Sequence, residues 1–267
     1  MSSQTIEQPR VVSRDEWLKE RVALLAREKQ LTRDREELAR QRRRLPWIRL
    51  DKEYVFEGYE GAVSLGELFN GRSQLIVYHF MFTPGWEYGC RSCSLMADHF
   101  DGSLPHLAAR DVTLAAVSRA PFTDFDPFRQ RMGWGFEWVS SHSSEFSYDY
   151  GVAFNPELIR SGAASYNFEP IPTDARLPLD DLPGLSVFHR GADGEIFHTY
   201  SAYARGLEPL IGVYNWLDLV PKGRDEEGLA FPMAWLRHHD DYADYVLDPT
   251  AGYQVPPTRH SCCGPTA

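Results

Sequence analysis

Apolar and polar positions divide the chain into two regimes. Residues 14–44 contain no Gly or Pro and are rich in Leu, Ala, Glu, Lys and Arg, all good helix formers. Their apolar stripe is thin: Trp17, Val22, Leu24, Leu25, Leu31 and Leu38. This predicts one long helix, ended by Pro46. It either lies solvated on the main domain or packs against a second subunit. From about residue 51 the pattern becomes α/β. DKEYVFEGYEGAVSLGELFNGR reads as a hairpin followed by a one-turn helix. SQLIVYHFMF, 73–82, is a continuous apolar run of the kind that forms a strand buried on both faces. Thr83-Pro84-Gly85 breaks it. A helix is expected from about Cys90, with Leu95, Met96, His99 and Phe100 on one face until Gly102 and Pro105 interrupt.

The next strand is DVTLAAVS, 111–118, so strand, helix and strand form a right-handed parallel unit. Asp126-Pro127 has the residues of a helix start, and FEWVSS, 136–141, reads as a further strand. Residues 142–184 are polar and rich in Pro and Tyr, without a period, and are expected to form an insertion or cover. LSVFHRGADGEIFHTYSAY then gives two alternating runs joined through Asp193-Gly194, a hairpin signal. GLEPLIGVYNWLDLV, 206–220, reads as a terminal helix. The expected units are an N-terminal extension over 1–45, a main domain over 46–222 and an irregular tail over 223–267.

Charge and composition narrow the partners. Lys and Arg total 28 against 38 acids, a formal net charge of −10. The 14–44 stretch carries 11 basic and 7 acidic residues, an excess of +4 that leaves −14 for the remainder. The basic residues are interleaved with acids, so nucleic acid is not the expected partner. No run of about 18 apolar residues marks a membrane span, and MSSQTIEQPR lacks the apolar core of a secretory signal. Four cysteines in 267 residues do not resemble a disulfide scaffold. A reducing cytoplasm is the expected compartment.

Two of those cysteines, Cys90 and Cys93, sit at the expected strand-to-helix junction. The spacing admits a redox dithiol, half of a metal site or two inert buried thiols. The order βαβ, a connection, a hairpin and a helix is that of a thioredoxin-like fold, a central mixed sheet flanked by helices. That fold keeps its dithiol at this junction. The first turn of a helix offers free N–H groups and a positive dipole end to a thiolate. Cys-x-x-Cys motifs accordingly lower the first thiol's pKa from about 8.5 into a range of roughly 3.5–7.5. Cys90 is then the attacking thiolate and Cys93 the resolving thiol. Arg91 adds positive charge, and Trp86 and Tyr88 form an apolar rim for substrate. Pro183, ahead of the LSVF strand, stands near the position of the substrate-contacting cis-proline of such folds. One residue, Gly184, stands between Pro183 and Leu185 of that strand.

The blocks YHFMF, GCRSCS with Asp98 downstream, and FHTYSAYARG, together with SLGELFNGR and WLRHHDDY, resemble the bacterial DUF899 family over about residues 14–245. The SLGELFNGR segment is also similar to peroxiredoxin-type proteins. The family resemblance implies a thioredoxin-like fold, a dithiol at Cys90 and Cys93, and membership of a group regarded as predicted dithiol–disulfide oxidoreductases. It supplies no substrate.

Rival readings stay open at this level. His79 lies in the strand leading to the dithiol. It is either a hydrogen-bonded core residue or, with Cys90 and Cys93, part of a copper, zinc or iron site. Arg237-His238-His239-Asp240-Asp241-Tyr242 is dense in potential ligands, yet it also suits a salt-bridge cluster that closes the domain. In the tail, His260, Cys262 and Cys263 are candidates for a soft metal or a thiol relay. The leading expectation is a cofactor-free thiol–disulfide oxidoreductase acting on a protein or small-molecule thiol or disulfide. The alternatives are a metal-binding protein or a non-catalytic binding module, with a homodimer through the N-terminal helix as the oligomeric option.

Overall fold

The computed structural model describes residues 10–177, 179–242, 246–248 and 252–254. The expected N-terminal helix is α1, Arg14–Arg42. Ser13 and Glu16 start it with a capping box, each side chain bonding the other's backbone N–H. Three short strands follow: β1, Ile48–Arg49, then the hairpin β2, Val55–Gly58, and β3, Gly61–Ser64. Ser64 and Glu67 repeat the capping box at α2, Leu65–Leu68.

The central elements come next. They are β4, Gln74–His79; α3, Arg91–Ala97; α4, Leu104–Ala108; β5, Val112–Ser118; α5, Phe122–Arg131; and β6, Glu137–Ser140. The 142–184 segment holds α6, Phe146–Asp149, and α7, Pro156–Arg160, and the paired β7, Ser165–Tyr166, and β8, Glu169–Pro170. The final hairpin is β9, Gly184–Arg190, and β10, Ile196–Tyr203, followed by α8, Gly212–Leu217. A last pair joins β11, Val246–Asp248, to β12, Gly252–Gln254.

Eight strands form one mixed sheet in the order β1-β10-β9-β4-β5-β6-β2-β3. β4, β5 and β6 run parallel, and β9 lies antiparallel to β4. The expected central mixed sheet with flanking helices is therefore the architecture found. No helix among the described residues is long and apolar enough to cross a membrane.

β4 lies in the middle of the sheet with a packed layer on each face, so both of its side-chain rows are buried. Ile76, Tyr78 and Phe80 enter the layer under α3 and α5, with Met96, Phe125, Phe128 and Trp138. Leu75 and Val77 enter the opposite layer, with Phe69, Phe146, Tyr150 and Phe188.

Two element boundaries differ from expectation. α5 starts after Pro121, and Pro127 lies inside it. Asp126 does not cap that helix; it holds Arg129 at 2.7 Å and Gln130 at 2.6 Å along it. The expected helix over 206–220 is split into a 3-10 turn, Ala204–Leu210, and α8, with extended Ile211 between them. Pro209 provides no N–H, and Glu208 before it is biased away from helix.

Beyond the ends of β4 and β5 a buried ion pair ties the 142–184 segment to the sheet. The Arg119 Nε–H donates to Asp181 at 2.7 Å, and the Thr83 hydroxyl donates to the other carboxylate oxygen at 2.6 Å. Removing one member of such a pair leaves a desolvated charge without a partner. Asp181→Ala is expected to lower stability by about 3 kcal/mol. Chemical denaturation checks this: the midpoint falls while the denaturant slope stays unchanged.

Candidate active site

The segment between β4 and α3 folds back on the strand end. Gly85 has φ +85, a left-handed turn that favours glycine. The Trp86 N–H closes the turn onto the Thr83 carbonyl at 3.0 Å. Gly89 is buried, and a Cβ there would stand 2.7 Å from both the Phe80 and Phe128 rings. Glycine is what lets the backbone pass this close to the aromatic layer. The Cys90 N–H then bonds the Met81 carbonyl at 3.1 Å, fixing the first cysteine to the strand end.

Cys90 is the N-cap of α3. Its backbone carbonyl accepts the Ser94 N–H at 2.8 Å and the Ser94 hydroxyl at 2.9 Å. Both cysteines are free thiols: Cys90 is half-buried, and Cys93 is 1% exposed. The Cys93 thiol first, and then the backbone N–H groups of Cys93 and Ser92 and the Ser92 hydroxyl, stand near the Cys90 sulfur and favour its thiolate, although no cap hydrogen bond closes onto the Cys90 side chain. These donors outweigh desolvation and bring the Cys90 thiol down to about pKa 6, below the ordinary thiol range. Cys93 moves the opposite way. Burial and the adjoining Cys90 push it well up, partly offset by the Tyr78 hydroxyl bonded to its sulfur. The pair is thus electrostatically asymmetric: one thiol ionises easily and its neighbour keeps its proton.

The other expected site residues fall into distinct places. Arg91 is exposed, and the leading stabilisation of the thiolate comes from Cys93 and Ser92. Trp86 is half-buried against the aromatic layer. Tyr88 is 48% exposed, with the Arg131 guanidinium 5.1 Å from its ring centroid. The Pro183 peptide is trans, because no cis bond occurs among the described residues, so the cis-proline expectation is corrected. The Pro183 carbonyl accepts the Tyr166 hydroxyl at 2.8 Å. Burial first, and Cys93 in addition, raise the Tyr166 pKa to about 12. Tyr166 packs against the cluster of Phe154, Ile159, Ala164 and Ile171 within the 142–184 segment.

His79 is the hydrogen-bonded core residue of its first reading, and it lies away from the cysteines rather than with them. Alternation along β4 sends it to the layer opposite Tyr78, where it stacks on Phe146 and Tyr150 at 5.5 and 5.8 Å. Its Nε2 bonds the Ser186 hydroxyl at 2.8 Å, and burial drives its pKa down to about 3. The described residues contain no group of three or more His, Cys, Asp or Glu placed to hold a metal ion. His260, Cys262 and Cys263 lie outside the described residues.

Two supports were not foreseen from the sequence, nor was the place where the expected domain-closing cluster docks. Tyr78 reaches Cys93; its position two residues before Phe80, on the same strand face, was the available signal. Ser92, between the cysteines, stands near the Cys90 sulfur and favours its thiolate. The 237–242 segment forms a clamp over the junction. The His238 Nε2–H donates to the Gly89 carbonyl at 2.9 Å, and His239 Nδ1 bonds Asp98 at 2.6 Å. Asp98 also accepts the Trp134 indole N–H at 2.9 Å. Arg131 holds Asp240 through two bonds, of 2.7 and 2.8 Å.

A mixed sheet whose central parallel strand leads to a helix with Cys90 at its N-cap gives the chain a thioredoxin-like fold, with two free thiols at that junction. The chain belongs to the DUF899 family, described as a bacterial protein of unknown function, whose model matches residues 6–242. No match was found among the curated proteins. Solved structures similar to the chain include the peroxidoxin BcpB of Mycobacterium tuberculosis, with TM-score 0.41, 10% identity, and coverage of 63% of this chain and 94% of that one. A peroxiredoxin Q of Xanthomonas campestris gives 0.39, 13%, 60% and 87%, in the same order. A putative protein disulfide isomerase of Bacteroides thetaiotaomicron gives 0.34, 15%, 64% and 91%.

The asymmetry of the pair is directly measurable. The rate of alkylation of Cys90 should rise with pH through a midpoint near 6, because the lowered pKa keeps the thiolate down to that pH. Cys93→Ala removes the leading donor and should move the midpoint upward. Mass-spectrometric rate measurement across pH 4 to about 9, spanning the ordinary thiol pKa, decides both points.

Proposed function

We propose that the protein is a thiol–disulfide oxidoreductase in which Cys90 attacks and Cys93 resolves. The observation that carries this reading is the pair of free thiols on the first turn of α3, Cys90 half-buried at its N-cap and Cys93 buried three residues on. A pKa near ambient pH keeps much of the thiol ionised without making it a poor nucleophile.

The Cys90 thiolate attacks one sulfur of a substrate disulfide. A mixed disulfide forms and the first substrate thiolate leaves. Cys93 then gives up its proton, which the departing thiolate can take, and attacks the Cys90 sulfur. The second substrate thiolate is released and a Cys90–Cys93 disulfide remains. Two electrons have passed from the dithiol to the substrate, and an external thiol reductant restores the pair. The cycle uses no cofactor, and a reducing compartment such as the cytoplasm would keep it poised.

Tyr78 supports the second step. Its hydroxyl donates to the Cys93 sulfur, which must become anionic in the apolar layer beneath α3. The half-buried Cys90, the Trp86 and Tyr88 rim and the 237–242 clamp restrict approach. They favour a substrate disulfide presented on a protruding segment or a small molecule over indiscriminate reduction of proteins.

Disulfide-reductase turnover with a reducing partner tests the reading. Cys90→Ser should abolish turnover, whereas Cys93→Ser should accumulate the mixed disulfide at Cys90. Full turnover by Cys90→Ser would sink the proposal. Tyr78→Phe should leave the attack step intact and slow resolution about tenfold, as expected for losing a hydrogen bond to a charged group. Single-turnover kinetics separate the two steps.

A further inference from the structure

Gly89 and Cys90 share one peptide unit, and both of its polar ends are held. The Cys90 N–H bonds the Met81 carbonyl at 3.1 Å, and the Gly89 carbonyl accepts the His238 Nε2–H at 2.9 Å. One bond alone would leave the peptide plane free to turn about it; the second stops that turn. The chain itself fixes this plane weakly. Gly89 has no Cβ to limit its dihedral angles, and Cys90, as N-cap of α3, lies outside the helical repeat. A carbonyl only accepts, so His238 Nε2 carries its proton whether or not Nδ1 is protonated as well. His238 is itself fixed: it is 5% exposed, edge-on to the Phe128 ring at 5.1 Å, with Nδ1 3.3 Å from Asp241. Arg131 holds Asp241 at 3.0 Å and lies over the Tyr88 ring.

We propose that His238 is a positioning residue for Cys90: its bond to the Gly89 carbonyl fixes the peptide that enters Cys90 and so keeps the sulfur beside the N–H groups of the first turn. The proposal rests on the exchange reading above and adds to it the residue that orients the attacking thiol. That residue lies 149 positions after Gly89, so the 237–242 segment belongs to the thiol centre rather than only covering it. The two roles differ in what they require. A cover needs only volume, which Leu supplies. A positioning residue needs a donor at the place of Nε2. Leu has none, whereas the amide nitrogen of Gln stands the same number of bonds from Cα as His Nε2. Gln carries no charge, so it also separates the hydrogen bond from any effect of a positive imidazole.

The rate of Cys90 alkylation by iodoacetamide, followed across pH by mass spectrometry, tests this without any substrate disulfide. His238→Leu should move the midpoint upward by about one pH unit, the size of one ordinary hydrogen bond. His238→Gln should return it to that of the natural chain. Where His238→Leu does not fold, His238→Asn takes its place: its amide nitrogen falls one bond short of the carbonyl, and the same upward move is expected. A midpoint that stays in place in the variant without a reaching donor overturns the inference. So does an equal rise in His238→Gln. Turnover by Cys90→Ser bears on the exchange reading and this profile bears on His238, so the two fail separately.

Discussion

Burial of β4 on both faces is the constraint from which the rest follows. The strand pairs with β5 on one edge and β9 on the other, and a packed layer covers each of its faces, so neither side-chain row can be polar without an internal partner. One row carries Tyr78 to the layer beneath α3. The other carries His79 to the opposite layer, where Ser186 satisfies one ring nitrogen. Because the strand end is fixed, the Met81 carbonyl is a fixed point, and the Cys90 N–H bonds to it. Strand register thereby sets where the first thiol stands relative to its helix.

The dithiol's asymmetry is a product of this placement rather than of the cysteines themselves. A thiol at the N-cap stands near the N–H groups of the first turn, while a thiol three residues on turns into the aromatic layer and loses solvent. The same short helix therefore stabilises charge on one sulfur and opposes it on the other. The junction is braced from outside by His238 on Gly89 and by His239 on Asp98, with Arg131 holding the acids that follow. Movement of the 237–242 segment would act on both ends of α3 at once.

Local sequence was enough for much of this. The 73–82 run, the 111–118 run and the Asp193-Gly194 turn are each specified by neighbours in the chain, and all appear as strands or a hairpin near the expected bounds. The Cys-x-x-Cys position followed from the same local order. What was not legible depended on partners far away in sequence. The face taken by His79 is fixed by contact with Phe146, and the clamp joins His238 to a residue 149 positions earlier. Asp126-Pro127 misled because Asp126 satisfies Arg129 and Gln130 within a helix already begun at Phe122.

The central claim is that Cys90 and Cys93 are one exchange unit. Its most direct test is peptide mapping of the natural chain after equilibration in graded mixtures of reduced and oxidised glutathione. A Cys90–Cys93 disulfide should close in a single two-electron step, with both thiols lost together. Cys90 and Cys93 that stay reduced, or that bridge to other cysteines, throughout the range would contradict it.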